Sequence, residues 1–542
     1  MAYRILVTDQ IDREGVALLE VEPDLVVDEV PTLPVPELLE RIPAYDAIVG
    51  RSATRITREL LEKGRRLQVV GRAGVGVDNI DLDTATALGI AVINAPAGNT
   101  VAVAELFYGA ILSLLRHLPR AATSMRDGRW DRSKLLGSEL RGRTLGIIGV
   151  GRIGGEVATR AHAFGVDVVA YDPYVPEGRF DMLRARRAPT LEALLEQSDV
   201  VTIHTPLTDE TRGMVGRREI GRMRTGAILA NMARGGIVDD AALLEALQSG
   251  HLGGAVLDVF ATEPLPAEHP LRSAPNVFLS PHIGASTGEA QRNVAVEVCE
   301  AVRDALLTGD FSRSINVAAV EGPWHDPWRA LRPIMLVARR AAAVARAILA
   351  DQGVRAVQRL TLRCDPELAG GREALLSAAA LGALEGVVET ERLNLINART
   401  LAEARGMELA VGESTQMPPS TVEVSLHGAM QELTVAGTAT AGATPRLTRI
   451  GGFRVDVNIG GGPRPTLIVL TNRDVPGVIG RVGTVLGDSG VNIAEYHQAR
   501  LSEGGEALAA VAVDGATDAT VRQKLLEIPD VRTATIVCFP AT

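Results

Sequence analysis

The sequence predicts an α/β protein: two doubly wound parallel sheets in succession, then an α+β region, then a β-α-β-β-α-β unit. Three observations predict it. Short apolar runs alternate with helix patterns from the N-terminus through residue 307, as parallel strands joined by crossover helices require. A glycine motif, G-V-G-R-I-G (149–154), follows one apolar run (144–148) and opens a helix pattern. After residue 316 the character changes to an Ala/Arg-rich helix and alternating strands. At 542 residues the chain is too long for one core.

Residues 4–8 form an apolar strand, followed by an amphipathic helix at 14–20. Strand 47–49, helix 57–63, strand 68–72, helix 82–88 and strand 90–94 continue the alternation. A helix over 101–116 ends before Pro119, and the charged segment M-R-D-G-R-W-D-R-S-K-L-L-G around Trp130 reads as an interaction arm or a connecting loop. Strands at 144–148, 166–170, 199–204, 225–231, 254–258 and 276–280 build the second sheet, with a helix at 239–248. A helix pattern from 283 to 307 returns to the first sheet. Beyond it lie helices at 327–352, 372–390 and 393–406, and strands at 421–428, 431–438 and 453–459. The linker G-G-G-P-R-P (460–465) closes this region. Residues 466–540 then read β-α-β-β-α-β, the ferredoxin-like order.

In the glycine motif, Gly149 suits a tight turn, Gly151 lets a pyrophosphate approach the backbone, and Gly154 lets helix pack on strand. The helix start, at Arg152 and Ile153, offers free N–H groups to phosphates. Asp172 ends the next strand, placed for the ribose hydroxyls; a carboxylate there favours NAD over NADP. The surrounding unit is therefore Rossmann-like. A second glycine-rich stretch, G-R-A-G-V-G-V-D-N (71–79), lacks the third glycine and reads as a loop.

The formal charge of −10 and pI near 5.6 argue against nucleic acid and anionic membranes as partners. Three scattered cysteines fit a reducing compartment, the cytoplasm, and offer no zinc or other metal site. No basic-then-apolar leader opens the chain, and the most apolar helix, 334–350, carries Arg339, Arg340 and Arg346. With aromatics at 3%, aliphatic and alanine packing must build the cores.

Unusual residues stand at strand carboxyl ends: Thr205, Arg234, Asp258 and His282. Hydride transfer to a carbonyl needs an acid-base group, a partner for it and a cation for the oxo-acid. His282 in S-P-H-I-G-A-S-T, Glu263 in L-D-V-F-A-T-E-P and Arg234 in N-M-A-R-G-G-I-V-D suit these roles. By residue type alone they equally fit a structural histidine and surface ion pairs.

The chain resembles the D-isomer-specific 2-hydroxyacid dehydrogenases, in their long form. The resemblance runs through R-S-A-T (51–54), V-V-G-R-A-G-V-G-V-D-N-I-D (69–81), G-I-I-G-V-G-R-I-G (146–154), H-T-P-L (204–207), N-M-A-R-G-G-I-V-D (231–239), A-V-L-D-V-F-A-T-E-P-L (255–265) and S-P-H-I-G-A-S-T (280–287). It implies a catalytic set of Arg234, Glu263 and His282, and an NAD site lined by Arg152, Ile153, Asp172, Thr205, Ala233, Asp258 and Gly284 with the three glycines. Met232 stands where the family often has Cys. It implies Arg51, Arg72 and Asn79 as substrate-phosphate residues, with Arg132 of the arm reaching a neighbouring subunit's site. The tail resembles an ACT domain through T-N-R-D-V-P-G-V-I-G and V-N-I-A, which implies serine held by Asn472, Asp474 and Asn492 at an interface; Asn472 replaces a frequent aromatic or His.

The implied division is 1–98 plus 284–316 for substrate, 99–283 for NAD, 317–459 as an intervening domain similar to the allosteric-substrate-binding domain, and 464–542 as ACT. The implied activity is NAD-dependent oxidation of 3-phosphoglycerate to 3-phosphohydroxypyruvate, the first step of phosphorylated serine synthesis, in a homo-oligomer, a tetramer. The rival readings are a glyoxylate or hydroxypyruvate reductase of the same family, a non-catalytic NAD-sensing scaffold, and an inactive serine sensor. Arg51, Arg72 and the tail weigh against the first, the acidic charge against the second, and the intact Arg-Glu-His set against the third.

Overall fold

In the computed structural model the first sheet comprises β1 (Tyr3–Val7), β2 (Leu25–Glu29), β3 (Ala47–Gly50), β4 (Val69–Arg72) and β5 (Ala91–Asn94). They are ordered 2-1-3-4-5 and all parallel. The structure describes residues 2–318, 327–387, 392–412, 417–440, 444–460, 465–502, 504–515 and 517–540. The linker residues 461–464, the last positions of the helix expected at 372–390, and the domain limits 464 and 541–542 lie outside them.

Residues 25–29 had no strand expectation. Their L-V-V-D-E run is short and half-exposed, because it is the sheet edge, paired with β1 alone. The helix expected from 283 starts instead at Gly288 and runs to Thr308. The amides of Ile283 and Gly284 are held by Asp258, and Thr287 caps the helix by accepting from Ala290 N. This helix packs on the first sheet through Val294, Val298 and Val302, and Ser314 bridges to Ile93.

The second sheet comprises β6 (Thr144–Ile148), β7 (Asp167–Tyr171), β8 (Arg186–Arg187), β9 (Val200–Ile203), β10 (Ala227–Asn231), β11 (Leu252–Leu257) and β12 (Val277–Leu279), in the order 12-11-10-9-6-7-8. The connection direction reverses between β6 and β9, which opens a crevice at their carboxyl ends. Helix Thr100–Leu115 is apolar because it is buried against this sheet, where Tyr108 donates to Val157 O. Among the described residues no single helix is long and apolar enough to cross a membrane.

A third sheet holds β13 (Arg359–Cys364), β14 (Glu408–Val411), β15 (Thr421–His427), β16 (Glu432–Thr438), β17 (Arg446–Ile450) and β18 (Phe453–Asn458), ordered 14-13-15-16-17-18. The alanines of helix Pro327–Asp351 (Ala338, Ala341, Ala342, Ala345) supply the core that the scarcity of aromatics required. Residues 394–397 dock onto the first lobe: Asn394 donates to Gly89 O and Ile396 enters its core.

The last sheet, β19 (Thr466–Arg473), β20 (Ile493–Arg500), β21 (Glu506–Val513) and β22 (Val531–Cys538), is antiparallel in the order 20-21-19-22. This is the ferredoxin-like arrangement expected. Its helices, Val478–Asp488 and Ala519–Leu526, share a core with Ile468, Leu470 and Val511. The opposite face, with Leu467, Val469, Leu508 and Val537, joins the core around helix Pro327–Asp351. There the Arg340 guanidinium lies 4.8 Å from the centroid of the Phe539 ring.

Candidate active site

The crevice is built on backbone geometry. Gly149, at φ +89°, turns the chain at the end of β6; a side chain there would meet His204 O. Gly154 lies so close to β6 that an added Cβ would sit 2.0 Å from Gly149 O. Around Gly151, the N-cap of helix Arg152–Ala161, an added Cβ would meet nothing within 4 Å. The motif is thus closed on its packing side, at Gly154, and open at Gly151. Asp172 accepts from Val150 N (3.0 Å) and Tyr174 N (3.0 Å), which fixes its carboxylate beside the glycine turn. Two polar atoms at the end of β9, His204 Nδ1 and Thr205 Oγ1, are buried without a hydrogen-bond partner. The open face, the helix N-terminus and the orphaned hydroxyl fit a dinucleotide.

Among the described histidines His204 is the most perturbed: loss of water around its ring lowers its pKa from 6.5 to about 3. Its Nε2 lies 3.0 Å from Thr202 Oγ1. Arg179 drew no notice in the sequence, yet it braces the glycine turn by donating to Val150 O (3.1 Å) and Gly151 O (2.9 Å).

Arg234, Glu263 and His282 follow β10, β11 and β12, three neighbouring strands. Adjacent strands lie about 4.8 Å apart, so their carboxyl ends present these residues along one edge. His282 Nδ1 donates to Glu263 Oε2 at 2.7 Å, since a carboxylate there can only accept; this leaves Nε2 facing outward. Glu263 is itself fixed, because its Oε1 accepts from Phe260 N at 3.0 Å. Asp258 is buried and saturated: it accepts from Ser280 Oγ, Ile283 N and Gly284 N, and so ties down the loop that carries His282.

Asn231 was overlooked in the sequence and performs the same service for Arg234. It donates to Arg234 O (2.8 Å) and accepts from Ala233 N (3.1 Å). Gly235 lies so close to Phe260 that an added Cβ would sit 1.9 Å from its carbonyl oxygen, which brings the Arg234 turn against the Glu263 loop.

The first lobe faces these residues. Arg234 Nε donates to Asp78 Oδ2 at 2.9 Å, and Nη1 donates to Ala233 O at 2.6 Å. Arg72 is largely buried and donates to Ala73 O. Burial, and then the charges of Arg234 and Arg51, bring its pKa down from 12.5 to about 10. Arg72 therefore feels the guanidinium groups of Arg234 and Arg51, with Asp78 and Asp9 acting in the opposite sense. Asn79 lies beside them with its amide engaged, donating to Arg51 O (3.0 Å) and Thr54 O (2.7 Å). Arg132 opens the short turn Arg132–Lys134 on the arm, where Trp130 and Leu136 are exposed. Among the described residues it makes no hydrogen bond or ion pair to the cleft.

In the C-terminal unit the expected effector residues separate. Asn472 is buried and donates to Arg473 O, and Asp474 accepts from Arg500 Nη1 (3.2 Å) and Gly504 N (3.3 Å). Asn492 donates to Asp514 Oδ2 at 2.6 Å. Asn472 pairs opposite Ala507 and Ile493 opposite Val513, so the two groups stand at opposite ends of the sheet. Six residues of strand put them roughly 20 Å apart within one chain.

An NAD cleft with an imidazole–carboxylate pair and clustered guanidinium groups marks the protein as an NAD-dependent dehydrogenase of 2-hydroxy acids. Known proteins agree. Residues 108–284 match the NAD-binding domain of the D-isomer-specific 2-hydroxyacid dehydrogenases, and residues 466–530 match the ACT domain. D-3-phosphoglycerate dehydrogenase of Bacillus subtilis is 37% identical over 541 residues, covering 99% of this chain and 100% of its own. That of Methanocaldococcus jannaschii is 36% identical over 98% of this chain and 99% of its own. Among solved structures, D-lactate dehydrogenase of Aquifex aeolicus, complexed with NAD and lactic acid, superposes with TM-score 0.51 at 32% identity, over 57% of this chain and 97% of that one. The chain belongs to the D-3-phosphoglycerate dehydrogenase family.

Proposed function

We propose that the protein oxidises 3-phospho-D-glycerate to 3-phosphohydroxypyruvate, the entry to phosphorylated serine synthesis, and that Arg234, Glu263 and His282 carry the reaction. The observation that carries this is the His282–Glu263 contact at a strand end beside the dinucleotide crevice. His282 Nε2 takes the C2 hydroxyl proton, and Glu263 stabilises the imidazolium that results. The substrate carboxylate takes the place of Asp78 on the Arg234 fork. Arg51 and Arg72 hold the phosphate, and Asn79 shapes their loop. Arg132 serves the site of an adjoining subunit. When bound, NAD supplies the hydride acceptor, with its phosphates at Gly151, Arg152 and Ile153, its ribose at Asp172, and Thr205, Ala233 and Gly284 lining the pocket.

In this reading residues 1–98 and 284–316 form the substrate lobe and 99–283 the NAD lobe, followed by the intervening and ACT domains. Serine binds between two ACT domains, with Asn472 and Asp474 from one copy and Asn492 from the other. Their separation within one chain supports a site that only an oligomer completes. The assembly is a tetramer in the cytoplasm.

The test is the rate of NADH formation with 3-phosphoglycerate against glycerate and lactate. Preference for 3-phosphoglycerate is expected, and negligible turnover with all three would remove the reading. His282→Ala should lower kcat by about 10²- to 10⁴-fold while NADH binding is retained. Serine should inhibit the wild type and fail to inhibit Asp474→Ala; inhibition unchanged by that substitution would exclude the effector site.

A further inference from the structure

We propose that Asp9 is a positioning residue for substrate binding, holding the Arg51–Thr54 loop in the conformation that grips the phosphate. This rests on the assignment of Arg51 and Arg72 to the phosphate.

Asp9 follows β1 at its carboxyl end and is 7% exposed. Its carboxylate accepts four hydrogen bonds. Oδ2 takes Arg51 N (2.8 Å) and Thr54 N (2.9 Å). Oδ1 takes Thr54 Oγ1 (2.7 Å) and Thr32 Oγ1 (2.7 Å). The loop is thus wound around a single carboxylate oxygen. Asn79 grips the same two residues from the other side, through their carbonyl groups. Every backbone polar group of Arg51 and Thr54 named here is spent on one of these two side chains.

The backbone conformation is unusual in a way that serves this contact. Asp9 and Gln10 both lie in the left-handed region, at φ +63° and +54°. The following residue type is no explanation, since neither is glycine. The turn drives the Asp9 side chain back under β3. There Gly50 leaves the space: an added Cβ would stand 2.6 Å from Thr8 Oγ1 and 3.5 Å from Asp9 Oδ2. Two non-glycine residues held at positive φ beside a substrate cleft mark a conformation that the surrounding contacts impose. Asp9 also supplies negative charge close to the crowded Arg51, Arg72 and Arg234 group. Its four hydrogen bonds go to the loop and to Thr32, so its contact with the substrate site runs through the loop.

The test compares variants in steady-state kinetics. Asp9→Ala should raise the KM for 3-phosphoglycerate about tenfold or more, with kcat and the NADH Kd within about twofold of wild type. The kcat/KM for D-glycerate, which lacks the phosphate, should barely change. Asp9→Asn should recover most of the loss: its oxygen still accepts the two amides, and both threonine hydroxyls can turn to accept from its NH2. An unchanged KM in Asp9→Ala, or equal losses with phosphorylated and unphosphorylated substrate, would overturn the proposal. If Asp9→Ala does not fold, Thr54→Val removes one of the four donors and should raise the same KM about threefold with NADH binding intact; wild-type KM there would also overturn it. A wild-type enzyme indifferent to the substrate's phosphate would instead defeat the assignment of the phosphate to Arg51 and Arg72.

Discussion

Two glycines of one motif should fail in opposite ways. Gly154 lies inside helix Arg152–Ala161, where helix propensity alone makes alanine the better residue by about 1 kcal/mol. Its Cβ would stand 2.0 Å from Gly149 O, a backbone atom that cannot swing away. Restoring ordinary contact needs a shift of about 1.5 Å between helix and strand. Overpacking of that kind costs about 3 kcal/mol, so Gly154→Ala should be destabilising by a net of about 2 kcal/mol. For a unit of this size that lowers Tm by roughly 4–8 °C. Gly151→Ala meets nothing within 4 Å, and its fold should lose at most about 1 kcal/mol through a poorer N-cap. Its methyl group instead points where the pyrophosphate must approach. Losing one charge-assisted hydrogen bond there, about 1.5–3 kcal/mol, weakens NADH ten- to hundredfold. Scanning calorimetry and NADH fluorescence titration on the same two proteins measure both quantities. A Gly154→Ala protein as stable as wild type, or a Gly151→Ala protein that keeps its NADH affinity, would refute the division of labour.

Asp172→Asn removes the charge and keeps an acceptor for only one of Val150 N and Tyr174 N, which bond different oxygens of the carboxylate. The preference for NAD over NADP in kcat/KM should shrink about tenfold, and an unchanged ratio would show that the discrimination lies elsewhere. His204 should make the fold acid-sensitive. Its pKa is about 3 when folded against 6.5 for the exposed group, so the unfolded chain binds more protons throughout that window. The stability is complete above pH 6.5 and is lost as pH falls, by about 2 kcal/mol between pH 6.5 and 5. His204→Asn should flatten that slope in denaturant titrations, whereas an identical slope would assign it to other groups.

Much of the fold was legible because its signals are short-range. The alternation of apolar runs, the three glycines and the acid at the end of β7 all lie within windows of a few dozen residues. Glu263 and His282 were legible through the motifs around them, and they do meet. The residues that hold them were not. Asn231, Arg179 and Asp9 are ordinary polar side chains in sequence, distinguished only by the atoms they bond. Asn79 sits in a family motif, yet its amide is engaged with a loop 28 positions away.

The sequence by itself determined the strand–helix alternation of the two parallel sheets, the glycine turn and the residues capable of acid-base and anion chemistry, because periodicity and residue chemistry are local. Strand order was decided only in the folded chain. It set β10, β11 and β12 side by side, brought Asp78 to Arg234 across 156 residues, and sent Asn472 and Asn492 to opposite ends of one sheet. Burial was decided there too, and with it the neutral His204 and the crowded Arg72. Both depend on which distant surfaces exclude water from a side chain, and no local stretch of sequence encodes that.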